Sequence, residues 1–548
     1  MNFAPNFEKL KLSAKEKYLI KPFFTNLEKN TFAVSFLPPE VIGALCSRTS
    51  RAKEDLRIVL LKEFIEPFIK EKSAYGKSLK RLIQFLYKNP IELIFSNPKG
   101  REFYIKWLAQ YGDDSIAQMA GAHLVYSAIS QIGIKHFEDM RIGLAPIEKS
   151  TRYVDYSSKV KGKYRYYTDP TLKKMDLEKE YKSTMDNLFK TYTTIVNKYF
   201  ELLKKQYPDE KESVLKAKSF DVSRGLLPMS TLSQVAFFGN GQAFEYLVAR
   251  SLNNKLGEIV YLANEALVEL EKIIPAFLRR AGGDSAAVYR EYLSAKDTEV
   301  EKILKKLKFS QKIIAGKRGV DLVDYEKDGE DKIIAALIYP KLHDSFENIF
   351  KKVKKMSLRD KKAILDSVFS KRKARWYKVP RAFEKAYVTF DLVMNIGAWR
   401  DLHRHRMHSQ YKQRFSIYNG FELPSELIGT GLDKQFIKAI EKTEKLFKKI
   451  EKKDKDIAQY CVTMAHRIRF LQKQNLRAFF WETELRTIAQ GHPDYRKIEQ
   501  EKARLIQKIY PLVGSYLMVD FNDYDFARRG TAEKIQEREE KLLKTLQK

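Results

Sequence analysis

A dense group of basic side chains lies in the second half of the chain, between residues 400 and 414. Its arginines are Arg400, Arg404, Arg406 and Arg414, and its histidines are His403, His405 and His408. Because a guanidinium can hold a phosphate through two parallel hydrogen bonds, this group predicts a site for a phosphorylated ligand. The histidines lack the spacing of a zinc site, so we predict no metal site. The alternative interpretation is a solvated basic end of a helix.

A second polar group consists of Glu148, Ser150 and Arg152, which occupy alternate positions. In an extended segment, alternate side chains point the same way, so these three could act together. Ser150 and Arg152 then suit a phosphate, and Glu148 suits a hydroxyl or an imide. The alternative interpretation is a charged turn.

A third group contains Asn475, Arg477 and Arg486. Arg486 follows Asn475 by eleven residues, which is close to three helical turns. In a helix the three side chains could therefore line one groove. The aromatic residues between them favour core packing over a stacking platform. These aromatic residues are Phe479, Phe480 and Trp481.

An internal repeat relates the two halves of the chain. Residues 123–153 align with residues 387–418 when Ile132 is placed on Ile396, which is an offset of 264. At this offset the three residues of the second polar group align with Lys412, Arg414 and Ser416. The alternative is a chance similarity between two helical regions.

Other landmarks recur in the same order, which supports the repeat. Arg224 precedes Asn240 by 16 residues, and Gln459 precedes Asn475 by 16 residues. The second copy is expected to begin near residue 300. The candidate starts of the two copies are residues 41–48 and residues 333–340.

The hydrophobic periodicity predicts an α+β fold that is predominantly helical. Short strands are few in this interpretation. Apolar residues recur at helical spacing in residues 60–86, 185–207, 256–278 and 436–469. The predicted strands are residues 153–157, 163–167 and 388–393.

The composition narrows the class of protein and its partners. The 548 residues carry 102 Lys and Arg against 70 Asp and Glu, a formal net charge of +32. Such a charge attracts nucleotides, flavins, folates, nucleic acid or an anionic membrane, although a Lys-rich solvated surface is the alternative. The sequence contains no apolar run long enough for a transmembrane helix, so none is expected. Its first residues mix acidic and basic side chains without an apolar core, so no signal peptide is expected. Cys46 and Cys461 form no disulfide framework and suit a reducing cytoplasm.

The three polar groups together resemble the flavin-dependent thymidylate synthase family, whose signature is R-H-R-x7-S-x-R-Y. The second half has Arg404-His405-Arg406 but Arg414 where the serine belongs. The first half has Glu148, Ser150, Arg152 and Tyr153 but Met140-Arg141-Ile142 where R-H-R belongs. The segment NLRAFFWETELR, residues 475–486, is similar to the C-terminal motif of the family, which ends in a catalytic arginine. In the first half of the chain, the segment SRGLLP, residues 223–228, looks like a matching stretch.

The resemblance implies two tandem copies, residues 1–300 and residues 301–548, each a small antiparallel sheet with helices. It implies FAD as the cofactor, NADPH and methylenetetrahydrofolate as co-substrates, and dUMP as the substrate. The family is a homotetramer with active sites between subunits. A homodimer of the fused chain would therefore act as a pseudo-tetramer in the cytoplasm.

The resemblance also implies a role for each site residue. Arg486 is the expected catalytic residue, placed at the uracil edge to favour ionisation of N3. The residues expected to hold FAD are Arg404, His405, Arg406, Asn475 and Arg477. The residues expected to hold dUMP are Glu148, Ser150, Arg152 and Arg224.

Each half keeps what the other half has lost, which leads to our main hypothesis. The dUMP half-site of the first copy and the flavin half-site of the second copy would form one composite site. Leu402 and His403 depart from the family pattern, which usually has a glutamine before R-H-R. Two alternatives stay open: a catalytically silent or repurposed relative that binds flavin or a nucleotide, and a basic nucleic-acid-binding protein.

Overall fold

The fold is described from a computed structural model of the chain. The described residues are 1–71, 73–89, 97–100, 102–103, 106, 115–139, 143–160, 162–283, 286–309, 313–527, 529–530, 537–540 and 544. Met140, Arg141 and Ile142, which face R-H-R in the repeat, lie outside the described residues.

The chain divides into two compact units, and each unit is assembled from three segments. Unit 1 comprises residues 1–195, 226–312 and 429–463. Unit 2 comprises residues 196–225, 313–428 and 464–548. Each unit thus combines most of one predicted copy with a segment of the other copy. The predicted boundary between residues 300 and 301 concerns the repeat in the sequence and stays a prediction.

Each unit contains one four-stranded antiparallel sheet within the described residues. The strands of unit 1 are ordered β1-β2-β4-β3, and those of unit 2 are ordered β5-β6-β8-β7. The α+β prediction is therefore confirmed. The strands are β1 (Thr31–Val34), β2 (Gly121–Ser130), β3 (Leu144–Glu148), β4 (Leu232–Asn240), β5 (Gly319–Tyr325), β6 (Tyr387–Asn395), β7 (Ser409–Lys412) and β8 (Arg467–Asn475).

Helices supply most of the remaining regular structure. Those of seven residues or more in the described chain are α1 (Ala14–Ile20), α2 (Pro39–Thr49), α3 (Ala74–Lys88), α4 (Gln131–Glu138), α5 (Glu178–Gln206), α6 (Glu212–Ser223), α7 (Gly241–Ser251), α8 (Gly257–Glu271), α9 (Ala287–Lys306), α10 (Gly329–Ile338), α11 (Phe346–Lys354), α12 (Leu358–Phe369), α13 (Ile396–Leu402), α14 (Leu432–Glu451), α15 (Leu476–Arg486) and α16 (Pro493–Ile509). No helix among the described residues is both long and apolar enough to cross a bilayer.

The strand registers support the internal repeat independently of residue types. Glu148 lies opposite Val235 in unit 1, and Lys412 lies opposite Phe470 in unit 2. Positions 235 and 470 differ by 235, and positions 240 and 475 differ by the same number. The edge strands β3 and β7 therefore correspond at the offset of 264 that the sequence predicts. The central strands β2 and β6 correspond at other offsets: Tyr126 matches Leu392, an offset of 266, and after a bulge in β2 Ser130 matches Asn395, an offset of 265.

Polar caps start the helices that follow the central strands of both sheets. The Asn240 side chain accepts the Ala243 N–H at 2.8 Å at the start of α7. The Asn475 side chain accepts the Ala478 N–H at 2.9 Å at the start of α15. An N-cap satisfies a backbone donor that the helix itself leaves unpaired. The two asparagines are thus equivalent parts of the repeat.

Several predicted elements are correct and others are wrong. The strand at residues 388–393 lies within β6, and the helix at residues 185–207 corresponds to α5. Residues 153–157 are not a strand, because the chain turns there: the Val154 N–H donates to the Ser150 carbonyl, and Tyr156 contacts Ser233 on β4 through its hydroxyl. Residues 163–167 form only isolated bridges.

Two long helix predictions overran their true ends. The helical pattern of residues 436–469 continues past α14 into β8, which starts at Arg467. Residues 256–278 end as α8 at Glu271, and a short 3-10 helix from Pro275 follows. Proline has no N–H to continue an α-helix. Residues 60–86 are interrupted by a π-helical turn at Leu60–Ile65.

The buried carboxylate of Glu258 in unit 1 should make stability fall as the pH rises. It accepts hydrogen bonds from the Ser130 N–H, the Ser130 hydroxyl and the Tyr460 hydroxyl, and burial raises its pKa to about 7. Between pH 4.5 and 7 the folded chain holds a proton that the unfolded chain has lost, so folding weakens with rising pH. Glu258→Gln removes this titration. Urea unfolding should show the variant gaining about 3 kcal/mol relative to wild type from pH 4.5 to 8.

The exposed Glu271, on the same helix, provides the control. Glu271→Gln should follow the wild-type pH profile. A parallel profile for Glu258→Gln and wild type would contradict the assignment.

Candidate functional site

The structure brings the predicted catalytic arginine against the R-H-R segment. Arg486, the last residue of α15, donates from Nε to Nε2 of His405 at 2.7 Å. His405 lies in the loop between α13 and β7, and both side chains are half-buried. The sequence separates these residues by 81 positions, and the fold of unit 2 joins them.

The acceptor in this contact is a neutral imidazole. Burial lowers the pKa of His405 to about 3, and the positive charge of Arg486 acts in the same direction. A neutral ring that accepts at Nε2 carries its proton on Nδ1. The ring therefore orients Arg486 without neutralising its charge.

Arg486 keeps an uncompensated positive charge. Within the described residues no carboxylate lies at ion-pair distance from its guanidinium, which also faces the Tyr495 ring at 5.6 Å. By contrast, Glu484 on the same helix is paired with Arg372 at 2.6 Å. A half-buried guanidinium without a counterion is suited to bind an anionic ligand or to stabilise developing negative charge.

The other two members of the third polar group lie at the opposite end of α15. The Asn475 side-chain oxygen caps the helix, and Arg477 pairs with Glu384 at 2.9 Å. Nine residues separate Arg477 from Arg486, which is two and a half turns of a helix, so the two face opposite sides. The predicted single groove along α15 therefore does not include Arg477 together with Arg486.

Arg404 and Arg406, on either side of His405, are exposed. They belong to the loop that follows α13, whose N-cap Asn395 accepts the Ala398 N–H at 2.8 Å. The loop thus carries two exposed cations around one half-buried imidazole. The site for a phosphorylated ligand that the sequence predicts at this basic group stays a prediction.

The second polar group lies in unit 1 at the end of β3. Glu148 is 3% exposed, and its carboxylate accepts from Lys135 Nζ at 2.9 Å. The segment leaves the extended conformation after Glu148: the Arg152 N–H donates to the Ser150 hydroxyl, and the Val154 N–H donates to the Ser150 carbonyl. Alternation along an extended strand therefore does not bring the three side chains together. Glu148 ends a strand, and Ser150 begins a largely buried turn.

Arg224 lies in unit 2, at the edge of a cavity of about 400 Å³. It is 3% exposed, and its Nη1 lies 3.7 Å from the Asp401 carboxylate. Its Nη2 is buried and makes no hydrogen bond within the described chain. The Asn395 amide donates to Glu422 and Asp494 in the lining of the same cavity. Arg224 thus lines this cavity and has one buried donor without an acceptor in the described chain.

Sequence reasoning missed a buried charge network beneath the contact between His405 and Arg486. Its centre is Lys502 on α16, which contacts Glu482 on α15 and Glu499 on its own helix. The signal was present in the sequence, because two glutamates, Glu482 and Glu484, follow the aromatic residues in the segment FFWETELR. A buried charge needs a partner, but the sequence does not show which basic residue supplies it.

Comparison with known proteins agrees with the order of motifs along the chain. A sequence model of the family described as thymidylate synthase complementing protein matches residues 72–276 and again residues 321–512. Two segments matching one family model are consistent with a tandem, two-copy arrangement.

Relatives match the chain over nearly its full length. A UPF0159 protein of Chlamydia pneumoniae is 34% identical over 526 residues, covering 94% of this chain and 96% of its own. A UPF0159 protein of Chlamydia muridarum is 34% identical over 527 residues, covering 94% and 97%. A UPF0159 protein of Thermoplasma acidophilum is 28% identical over 522 residues, covering 89% and 96%.

The uncompensated guanidinium predicts a measurable anion affinity. Arg486→Ala should weaken the binding of inorganic pyrophosphate about tenfold, since a hydrogen bond to a charged group contributes roughly 1.5–3 kcal/mol. Arg469→Ala is the matched control, because Arg469 is paired with Asp391 at 2.7 Å. The measurement is the pyrophosphate concentration that gives half of the maximal rise in Tm. An equal loss in both variants would assign the binding to the general positive charge.

Proposed function

The chain belongs to the family of thymidylate synthase complementing proteins, and from this premise we propose that it is an FAD-dependent thymidylate synthase. In the proposal it converts dUMP to dTMP with methylenetetrahydrofolate and NADPH. The observation that carries the proposal is the contact between Arg486 and His405, which joins the two motifs of the second half.

The side chains around this contact fit an anionic flavin. FAD carries a diphosphate, and the exposed residues Arg404 and Arg406 flank His405, the residue that Arg486 contacts. Asn475 and Arg477 are engaged in capping and in pairing with Glu384, but the Asn475 amide nitrogen stays available to a ligand. When bound, FAD would supply the redox chemistry of the reaction.

The proposed dUMP residues are Glu148, Ser150, Arg152 and Arg224. Glu148 is held in place by Lys135, and a fixed carboxylate is suited to accept from an imide N–H. Arg224 offers its unpaired Nη2, which suits an oxygen of a phosphate.

Arg486 is the residue to which we assign catalysis. Its charge would stabilise the negative charge that develops on the uracil ring, and His405 fixes its direction. The proposal requires no nucleophilic cysteine. Burial raises the pKa of Cys46 to about 11 and raises that of Cys461 as well, so both thiols stay protonated.

The repeat supports one set of ligands per chain. At the offset of 235 the position of Arg486 corresponds to Ser251, the last residue of α7. Ser251 contacts His136 at 2.9 Å, and the end of α7 carries a serine where the end of α15 carries Arg486. Lys412 likewise replaces Glu148 in the aligned edge strand. We therefore propose one catalytic centre per chain, in a chain that associates as a homodimer.

The same departures favour one alternative. The second copy has no equivalent of Glu148 and Ser150, and the first copy has no equivalent of Arg486. A protein with these losses could bind flavin without catalysing the reaction. Such a catalytically silent relative would contain bound FAD whose redox state does not change when dUMP is added.

Anaerobic flavin spectroscopy tests the proposal. The purified protein, reconstituted with FAD, should bind one flavin per chain that NADPH reduces. Reoxidation should require dUMP and methylenetetrahydrofolate together. Flavin that ignores dUMP would identify the silent relative, and failure to bind FAD would overturn the cofactor assignment and favour nucleic-acid binding. Two equivalent flavins per chain would overturn the single centre.

Arg486→Ala separates catalysis from cofactor binding. The removal of one preorganised charge should lower turnover by about 100-fold or more, while FAD affinity should fall about tenfold. Arg469→Ala should retain both. Equal losses of turnover and FAD affinity in Arg486→Ala would assign Arg486 to cofactor binding alone.

A further inference from the structure

A second cavity lies in unit 1, away from the residues that the proposed function uses. Its volume is about 380 Å³, within the range of about 300–1,000 Å³ that is usual for small-molecule sites. Residues 6–11 line it together with the first strand turns of β4, the bulged part of β2 and residues from the segments 53–58 and 160–165. Every residue of the lining belongs to unit 1.

Two cations line this cavity, and each has a donor that the described chain does not use. Lys149 is 5% exposed, and its Nζ donates to the carbonyls of Lys53 at 3.2 Å and Glu54 at 2.9 Å. An ammonium has three donors, so one is left over. Arg165 donates from Nη2 to the Asp155 carbonyl at 2.8 Å, while its buried Nε has no acceptor.

Neither cation is neutralised by an acid of the lining. Within the described residues, no carboxylate lies at ion-pair distance from Lys149 or Arg165. Asp55 also lines the cavity, but its two oxygens accept from Arg57 at 2.9 and 3.0 Å and from the Ser127 hydroxyl at 2.5 Å. Its negative charge is therefore already paired.

The electrostatics of Lys149 agree with a missing counterion. Burial lowers the pKa of Lys149 to about 8, and the positive charge of Arg165 acts in the same direction. Asp55 and Glu54 oppose this effect without cancelling it. An anion seated between the two cations would offset both the burial and the repulsion.

The end of strand β3 explains how Lys149 reaches this cavity. The Lys149 N–H donates to the Gln234 carbonyl at 2.8 Å, which continues the pairing with β4 beyond Glu148. Neighbouring side chains of an extended segment point to opposite faces of the sheet. Glu148 accordingly contacts Lys135 on α4, whereas Lys149 contacts the backbone of residues 53–54.

Apolar side chains supply another part of the lining. They include Phe7 and Leu10 from the N-terminal segment, Ile58, and Leu232 at the start of β4. Such a mixture of a few polar groups with apolar walls is typical of sites for small organic ligands. A bare inorganic ion would leave this apolar surface unused.

We propose that the unit 1 cavity binds a small organic carboxylate. The two carboxylate oxygens match the two available donors, one on Lys149 and one on Arg165, and the apolar body of the ligand packs against Phe7, Leu10 and Ile58. This inference goes beyond the proposed function and does not rest on it.

Ligand-observed ¹⁹F NMR on the full chain tests the proposal, with 4-fluorobenzoate as the probe. The wild type should bind this anion, and Lys149→Met should weaken the binding about tenfold or more, as expected for the loss of a hydrogen bond between charged groups. Arg165→Met should have a similar effect. The neutral isostere 4-fluorobenzamide should bind the wild type at least about tenfold more weakly than 4-fluorobenzoate.

Two variants serve as controls for position and for charge. Lys163 is exposed, lies two residues before Arg165 and does not line the cavity, so Lys163→Met should keep the wild-type affinity for 4-fluorobenzoate. Arg486→Ala removes the uncompensated cation of unit 2 and should also keep it. Both variants lower the net charge by the same amount as Lys149→Met.

The remaining outcomes decide against the proposal. Absence of 4-fluorobenzoate binding to the wild type would overturn it, and so would an equal loss in Lys163→Met and Lys149→Met. If Lys149→Met fails to fold, the half-buried Arg165 carries the test, and an unchanged affinity in Arg165→Met would overturn the site. Tighter binding of 4-fluorophenyl phosphate would overturn the choice of a carboxylate. None of these results depends on whether the protein has synthase activity.

Discussion

The burial of the Lys502 ammonium between Glu482 and Glu499 is the constraint on which the candidate site depends. A buried charge that loses its partner destabilises a protein by about 3–5 kcal/mol, so these three side chains must stay together. Glu482 lies on α15 and the other two lie on α16, so the network fixes one helix against the other. Arg486 ends α15 one turn after Glu482, and its position follows from the same contact.

Unit 1 also buries a lysine, Lys135, between two glutamates. The repeat does not align Lys135 with Lys502. Lys135 on α4 contacts Glu138 at 2.5 Å and Glu148 at 2.9 Å. The aligned edge strand of unit 2 has Lys412 in place of Glu148. In unit 2 the lysine between two glutamates is Lys502, which lies on α16. The two copies therefore retain the strand order and register of the sheet while their charged interiors have diverged.

Much of this organisation could be predicted from the sequence, because strand register and helix caps depend on local patterns. The offset of 264 between the edge strands, the equivalence of Asn240 with Asn475 and the strand at residues 388–393 all follow from spacing alone, although the central strands are offset by one or two residues more. The charged interior could not be predicted in this way. Lys502 lies 20 residues beyond Glu482, and no local pattern shows that a lysine in a polar helix is fully buried. The extended form expected for Glu148, Ser150 and Arg152 failed because side-chain hydrogen bonds turn the chain after the strand.

The helix caps show why residue type alone is a weak guide to function in this family. Asn475 carries a predicted cofactor role, yet its side-chain oxygen caps α15 just as Asn240 caps α7. A capping side chain such as asparagine at this position therefore stabilises the helix whether or not a ligand binds. The difference between the copies lies eleven residues further on, where one helix ends in Arg486 and the other in Ser251. Because the helix needs neither residue for capping, this is one position at which the two copies differ in chemistry while the fold is preserved.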